Sequence, residues 1–386
     1  MHLSFLKKVH ILEKRQKPLD APGIQILFVL GAVLTAFLVG SLLFIPFGVN
    51  PFTAYATMLK QAFGEVTGLS YTIIRASPLI MVGLGSIIAW RTGFIYLGFE
   101  GAMYIGGIGG TWFALNCVEG GLFGAIPWFV FFPLVFMIAF IVAGIWAGIV
   151  GFFKAKLNGN EIIMSLMSNY IAIYLINFLV AGPMRDPGQS PQTSPIAQYQ
   201  HLPFILPGTR IHAGILIMLA LIVLTYILLN KTRLGQEMIM AGANKKAALF
   251  GGINVNKTIV ISAFLAGGIA GIAGLIEVLG RQYRMMDGIT QGLGFTGIVT
   301  ALLGRQNPFG LGLAAFLYAG MNVGSEAMQR ASGLPTSVTS TIQALIVLIM
   351  FVFEVFRKYR IVLPVGLKKK IKLPSESIDR SIPNGN

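Results

Sequence analysis

The chain consists of long apolar runs separated by short polar segments. Windows long enough to cross about 30 Å of hydrocarbon recur along it, and each is typical of a transmembrane helix. Because ten such windows give an even number of crossings, the pattern predicts an all-α polytopic membrane protein with both termini on one side. The windows fall near residues 24–47, 70–90, 93–116, 124–151, 162–182, 213–230, 258–280, 288–304, 309–331 and 338–356.

Two segments fit this pattern less well than the others. The window 288–304 is short and rich in glycine, and the segment 53–65 is suited to the outer interface. Either is a candidate for a re-entrant segment, which enters the bilayer and leaves on the same side.

The basic residues give an independent orientation. With the N-terminus inside, the inner segments hold 22 of the 29 Lys and Arg residues, as the positive-inside rule expects. We therefore predict a cytoplasmic N-terminal segment (1–23), a transmembrane domain (24–356) and a basic cytoplasmic tail (357–386). The run 24–47 is too long for a signal-peptide core and is expected to remain as the first span.

Composition supports the membrane class. The chain is 55% hydrophobic and 11% charged, and its mean hydropathy of +0.76 excludes a soluble domain of this length. Its net charge of +15 lies at chain ends and connections rather than on one continuous face, so it indicates orientation and not nucleic-acid binding. The lone cysteine, Cys117, excludes an internal disulfide framework.

Two longer polar segments interrupt the apolar pattern. The outer segment 183–212 contains six prolines, which predict an extended connection over the outer face, either a docking surface or a plain linker. The inner segment 231–257 contains Ala247 and Ala248 in a helix-compatible stretch flanked by glycines. It predicts a short cytoplasmic helix between two spans.

An internal repeat is visible in the two halves. Residues 79–110 align with 293–324 without a gap, and eight of 32 positions are identical, including Arg91 with Arg305. Transporters often form solute sites between related halves near the bilayer midplane. Ten spans would make the two copies parallel, and one re-entrant segment would make them inverted.

Small residues in the first copy follow a helical spacing. Gly98, Ala102, Gly106 and Gly110 recur every four residues and predict a face on which a neighbouring backbone packs closely. The cluster AGGIAGIAG at 266–274 has the same interpretation.

Catalytic and metal-binding motifs are absent. The chain has no G-x-x-x-x-G-K-[ST] motif for ATP phosphates, no G-x-S-x-G elbow and no histidine pair at metal-ligand spacing. We therefore expect no catalytic residues, no metal site and no cofactor in this chain.

Glu100 is an isolated acid in an apolar stretch. A charge at the centre of a span costs about 2.5–3.5 kcal/mol on insertion scales, so Glu100 is expected to face the protein interior. Two hypotheses remain open: a solute or gating contact, or a structural pair with an arginine or with the N-terminus of a broken helix.

Uncharged hydrogen-bonding residues complete a candidate solute pathway. They suit a neutral polar solute better than an ion, although the tyrosines also suit packing. Glu326 and Arg330 are expected to pair at i, i+4. The predicted pathway residues are Tyr96, Glu100, Tyr104, Asn169, Gln291, Thr296 and Asn322.

Four stretches together resemble a known family. They are RTGFIYLGFEGAMYIGG (91–107), NEIIMSLMSNYIA (160–172), GANKKAALFGGINVNKTIVISAFLAGGIAGIAG (242–274) and GFTGIVTALLGRQNPFG (294–310). This combination resembles the permease family of bacterial ATP-binding cassette (ABC) importers for simple sugars and nucleosides, in the branch that works with basic-membrane-protein-type lipoproteins. Where relatives commonly have Asn and Gln, this chain has Tyr96 and Ala102, which leaves the solute open.

The resemblance implies an assembly in the bacterial inner membrane. Two permease subunits, here a related chain or a second copy beside this one, would take solute from an extracellular lipoprotein, while cytoplasmic ATPases use ATP and Mg²⁺. It implies transport of a nucleoside or related sugar-containing solute; a simple sugar, another small polar metabolite and an ion-coupled secondary transporter are the alternatives. The implied ATPase contact comprises Gly242, Asn244, Ala247, Ala248, Gly251 and Gly252.

Overall fold

A computed structural model of the chain describes residues 12–14, 31, 34–35, 37–188, 190–333, 335, 337–338, 340–342, 344–345, 347–349, 352 and 359–361. The chain divides into two compact units. One comprises residues 41–343, and the other comprises residues 1–40 with 344–386. Most of the predicted terminal segments and parts of the first and tenth predicted spans lie outside the described residues, so those boundaries stay predictions.

The unit 41–343 is helical. Its helices, numbered here in chain order, are α1 (Pro51–Leu59), α2 (Val66–Arg91), α3 (Phe99–Asn116), α4 (Trp128–Leu157), α5 (Glu161–Ala181), α6 (Gly214–Lys231), α7 (Arg233–Ala243), α8 (Lys245–Phe250), α9 (Val255–Glu277), α10 (Leu293–Leu303) and α11 (Pro308–Ser332). Short 3-10 turns occur at Leu42–Phe47 and Gln198–Gln200, and π-helical turns follow α1 at Lys60–Gly64 and α9 at Val278–Gln282.

The other unit contains two short strands. The strand β1 (Leu12–Lys14) pairs antiparallel with β2 (Tyr359–Ile361), with Leu12 opposite Ile361. The pair joins segments near the two ends of the chain and is an addition to the all-α architecture that the sequence predicts.

The helices α2 and α9 form the centre of the larger unit. Most of their length is buried, whereas α4, α5 and α6 leave most of their length accessible. From Phe129 to Phe153, every exposed side chain of α4 is apolar. Such a surface matches the hydrocarbon of a bilayer, which hydrates no polar group.

Glycine contacts bring the central helices together. A Cβ atom on Gly106 of α3 would lie 2.2 Å from the Cα atom of Gly271 of α9, and one on Gly271 would meet Ala143 of α4. Only residues without a side chain allow this approach. The predicted packing role is therefore confirmed for Gly106 and for the 266–274 cluster, whereas Gly98 precedes α3 and contacts the ring of Tyr96.

The predicted number of ten spans is not confirmed. In the described part of the chain, five helices are long and apolar enough to cross a membrane, or six if Phe37–Phe47 and Pro51–Gly64, bent by 118°, form one span. The helix α10 has 11 residues and reaches about 16 Å, half the thickness of the hydrocarbon. Within the predicted window 93–116 the helix begins only at Phe99, because residues 92–98 form a non-helical connection. The polytopic, helical class is confirmed.

The two copies of the repeat pack directly on each other. Gly83 of α2 faces Leu311 of α11, and Gly297 of α10 faces Val82 of α2. At the turns that end α2 and α10, the guanidinium of Arg91 donates to the carbonyl of Gln306 at 3.4 Å. Because both turns meet at one end of α2, α2 and α10 run in the same direction where they touch. The parallel arrangement is therefore the one that these contacts support.

The proline-rich segment 183–212 covers one end of the helices. Gln200 is fully buried and its amide donates to the carbonyls of Ala114 and Cys117 at 2.8 and 3.1 Å, at the C-terminal end of α3. His201 stacks on Tyr283 with ring centroids 3.9 Å apart. These contacts fix the connection to the helices, and its place on the outer face stays a prediction.

Candidate functional site

Glu100 binds the N-terminal end of α10. Its Oε2 atom accepts from the backbone nitrogen of Gly294 at 2.7 Å, and Oε1 accepts from that of Gly292 at 3.0 Å and from the hydroxyl of Thr290. The first backbone N–H groups of a helix lack partners within it, and the helix dipole favours an anion there. Of the hypotheses for Glu100, the helix N-terminus is the one that these contacts match.

The break before α10 explains why only one copy of the repeat carries the acid. The residue aligned with Gly294 is Ile80, which lies within the continuous helix α2. That helix offers no free N–H groups at this level. An acid at Ala314, which aligns with Glu100, would have no equivalent helix end to bind.

Three other predicted pathway residues lie buried around Glu100. Asn169 of α5 accepts from the backbone nitrogen of Gly101 at 2.8 Å and donates to the carbonyl of Leu97 at 2.9 Å. Tyr96 is fully buried, and its hydroxyl donates to the carbonyl of Gly98 at 3.0 Å. Tyr104 is also buried and packs with the residues that precede α10. These contacts join α3, α5 and α10.

The remaining three predicted residues line a cavity. Gln291, Thr296 and Asn322 face a space of about 260 Å³ between α2, α9, α10 and α11. The hydroxyl of Thr296 donates to the carbonyl of Gly292 at 3.0 Å. Amide and hydroxyl groups that line one cavity suit the hydroxyl groups of a neutral polar molecule.

Charged residues that the sequence interpretation did not assign to the pathway also line this cavity. Arg75 of α2 makes two contacts with Glu326 of α11, at 2.5 and 3.0 Å. Glu277 pairs with Arg281 at 2.8 Å across the π-helical turn. The predicted pair of Glu326 with Arg330 is replaced by the pair with Arg75, because α2 and α11 run antiparallel and bring those residues together. The sequence could have indicated the pair of Glu277 with Arg281, because the two residues have the i, i+4 spacing of a helical ion pair.

The segment 231–257 contains two short helices, not the single one predicted. Asn244 separates α7 from α8 and caps α8, since its side chain accepts from the backbone nitrogens of Lys246 and Ala247 at 3.0 and 3.2 Å. A Cβ atom on Gly242 would lie 2.2 Å from the carbonyl oxygen of Arg91. This contact holds the segment against the turn after α2.

The predicted contact residues of this segment differ in exposure. Ala247, Gly251 and Gly252 are exposed, whereas Ala248 is only 5% exposed and packs into the core. Phe250, which the sequence interpretation missed, is 94% exposed at the end of α8. The sequence could have marked this residue, because a phenylalanine is unexpected in a short polar connection.

Comparisons with known proteins agree with this architecture. Residues 68–353 match the family described as branched-chain amino acid transport system / permease component. The chain is 34% identical to the glucose ABC transporter permease protein TsgB13 of Haloferax volcanii, over 85% of this chain and 88% of that one. It is 32% identical to the guanosine ABC transporter permease protein NupP of Bacillus subtilis, over 82% and 90%.

A third relative is more distant. The nucleoside ABC transporter permease protein NupB of Lactococcus lactis is 27% identical, over 86% of this chain and 93% of that one. No solved structure matches the chain.

Proposed function

This chain belongs to the family of permease components of branched-chain amino acid transport systems, and from that premise we propose that it moves a nucleoside or a related sugar-containing solute. It is a permease subunit of an ATP-driven ABC importer, a multi-pass membrane protein and a transport subunit. Such permeases work with an ATPase and a solute-binding protein.

The cavity between α2, α9, α10 and α11 carries the solute proposal. Gln291, Thr296 and Asn322 offer amide and hydroxyl groups that match sugar hydroxyls. The two charged pairs around the same cavity leave it without a single dominant charge, which suits a neutral solute. Relatives named for guanosine and for nucleosides support a nucleoside, and the relative named for glucose makes a simple sugar the second candidate.

The connection of α7 and α8 is the proposed contact for the ATPase. Phe250 is 94% exposed, and the small residues Ala247, Gly251 and Gly252, close to it in the chain, are exposed as well. A large aromatic side chain exposed to solvent is typical of an anchor that fills a pocket on a partner. Gly242 and Asn244 hold the segment in place, and Ala248 packs beneath it.

The rest of the assembly follows the same proposal. The chain would pair with a second, related permease in the bacterial inner membrane, receive solute from an extracellular lipoprotein and leave ATP and Mg²⁺ to the ATPase. The pairing of Leu12 with Ile361 supports a location of both chain ends on one side, which we take to be the cytoplasm.

Reconstitution tests the function. The chain, assembled with a partner permease, an ATPase and a solute-binding lipoprotein, should drive ATP-dependent uptake of guanosine into proteoliposomes. Asn322→Ala should raise the KM for uptake, whereas Leu313→Ala, on the exposed side of the same helix, should not. Glucose uptake without guanosine uptake would select the second candidate. Uptake driven by a sodium or proton gradient without ATPase would contradict the importer assembly.

A further inference from the structure

Two exposed tyrosines lie at the middle of α5. Tyr170 is 56% exposed and Tyr174 is 71% exposed. The helix runs from Glu161 to Ala181, so at 1.5 Å per residue Tyr170 lies about 1.5 Å, and Tyr174 about 4.5 Å, from its midpoint. In a span of this length, that is the centre of the hydrocarbon layer.

This position is unusual for a lipid-facing tyrosine. Tyrosine is enriched at membrane interfaces, where its hydroxyl reaches water, and an unpaired hydroxyl in hydrocarbon is costly. In the part of the chain that the structure describes, neither hydroxyl is hydrogen-bonded to a protein group. These two side chains therefore require something other than lipid beside them.

Neighbouring helices show what a lipid-facing surface looks like in this protein. At the same depth α4 exposes only apolar residues, such as Met137, Ile141 and Ile145. On α6, the half-exposed Tyr226 packs against Phe309 with ring centroids 5.9 Å apart. The surface of α5 that carries Tyr170 and Tyr174 differs from both.

The buried side of α5 contacts the residues that hold the N-terminal end of α10, next to the cavity. Asn169, next to Tyr170, is bonded to Gly101, and Glu100, next to Gly101, is bonded to Gly292. Gln291 precedes Gly292, is exposed and lines the cavity. These contacts join α5, through its buried side, to the segment that borders the proposed solute site.

We propose that Tyr170 and Tyr174 form a wall of the solute path, that the second permease subunit covers the path from the opposite side, and that the rings stack on the planar base of a nucleoside. This inference rests on the proposed function. Aromatic side chains bind nucleobases through their π-faces, and the phenol hydroxyl gains water or solute as a partner. Water then fills the path at the same depth in the membrane at which the lipid-facing helix surfaces contact only hydrocarbon.

Cysteine labelling tests the hydrated wall. Cys117 is buried and is replaced by serine, so that each variant carries one thiol. Tyr174→Cys is compared with Ile145→Cys, because Ile145 lies 12 residues before the end of α4 and Tyr174 lies 13 residues after the start of α5. A charged methanethiosulfonate reacts only with thiols in water.

In the assembled importer, we expect Tyr174→Cys to react at least about tenfold faster than Ile145→Cys, and saturating guanosine to slow that reaction. Equal rates would overturn the proposal, because the surface would then face lipid or a dry protein contact. Faster labelling that guanosine leaves unchanged, in a complex that transports guanosine, would overturn the stacking role.

A second measurement isolates the ring. Tyr174→Phe keeps the aromatic face and should hold the KM for guanosine uptake within about threefold of wild type. Tyr174→Leu should raise it by about tenfold, within the range measured when a base loses its stacking partner. An equal KM for the two variants would contradict stacking. Absence of ATP-dependent guanosine uptake by the wild type would instead rule out guanosine as the solute, and the comparison of labelling rates would still decide whether α5 faces water.

Discussion

The carboxylate of Glu100 and the backbone nitrogen of Gly294 lie 2.7 Å apart, although 194 residues separate them in the chain. Their hydrogen bond joins the first turn of α3 to the first turn of α10. A Cβ atom on Gly294 would lie 2.3 Å from the backbone nitrogen of Glu100, so the approach depends on a glycine. The break that makes α10 too short to cross a membrane therefore has an acid at its end.

Replacing Glu100 with glutamine should lower stability. Glutamine keeps the size of the side chain but loses the charge that favours the N-terminus of α10, and its NH₂ group faces N–H donors. The expected loss is about 1–3 kcal/mol, the usual cost of an unsatisfied buried group. The measurement is folded yield and melting temperature in detergent.

Glu119→Gln is the control for this variant, because Glu119 is exposed after α3. It should melt like the wild type. If Glu100→Gln kept a wild-type melting temperature and changed which solute is transported, Glu100 would be a solute contact and not a structural acid.

The packing of α3 on α9 should fail when Gly106 gains a methyl group. In Gly106→Ala the new Cβ would lie 2.2 Å from the Cα atom of Gly271, so the helices must separate along their length. We expect a loss of about 1–3 kcal/mol, seen as a lower melting temperature.

Gly312 of α11 supplies a matched control, because nothing lies within 4 Å of a Cβ atom built there. Gly312→Ala should leave stability unchanged or raise it by up to about 1 kcal/mol, since alanine favours helix. Equal effects of the two alanines would show that general helix propensity, and not the contact with Gly271, governs this region.

Truncating Phe250 should uncouple transport while the fold persists. Phe250→Ala removes an exposed ring, so the melting temperature should stay within a degree or two of wild type, whereas co-purification of the ATPase and uptake should fall at least about tenfold. Phe52→Ala, which also removes a highly exposed ring, is the control and should retain both. Retained ATPase binding by Phe250→Ala would place the contact elsewhere.

The buried position of His212 should make the protein sensitive to acid. Burial lowers the pKa of His212 to about 4, compared with 6.5 for the free side chain, and its Nδ1 atom accepts from the backbone nitrogen of Gly214 at 3.2 Å. The folded state therefore favours neutral histidine. This contribution is complete above pH 6.5 and is lost as the pH falls from 6.5 towards 4, to a total of about 3 kcal/mol.

Melting temperatures measured from pH 7.5 to pH 4.5 test this expectation. His212→Gln keeps a side-chain acceptor without a titrating group, so its stability should fall less over the same range. Parallel curves for the wild type and the variant would show that His212 does not carry the acid sensitivity.

Ala248 illustrates where sequence reasoning stopped short. The composition of 231–257 correctly marked a helical connection between spans, because alanine favours helix and glycine ends it. Which alanine faces outwards depends on how the short helix rests on the core. Ala248 is inside and Phe250 is outside, so a charge at Ala248 would test folding and not the ATPase contact.

Apolar length, residue size and motif order are local properties of the chain, and they were sufficient to predict the membrane class, the packing role of Gly106 and the family. The tertiary structure decided the break before α10, the partner of Glu100, the pairing of Arg75 with Glu326 and the division of the predicted pathway residues between a buried junction and a cavity. Hydropathy reports only whether a residue prefers to leave water. Helix ends, hydrogen-bond partners and side-chain exposure depend on residues that lie far apart in the chain and meet only when it folds.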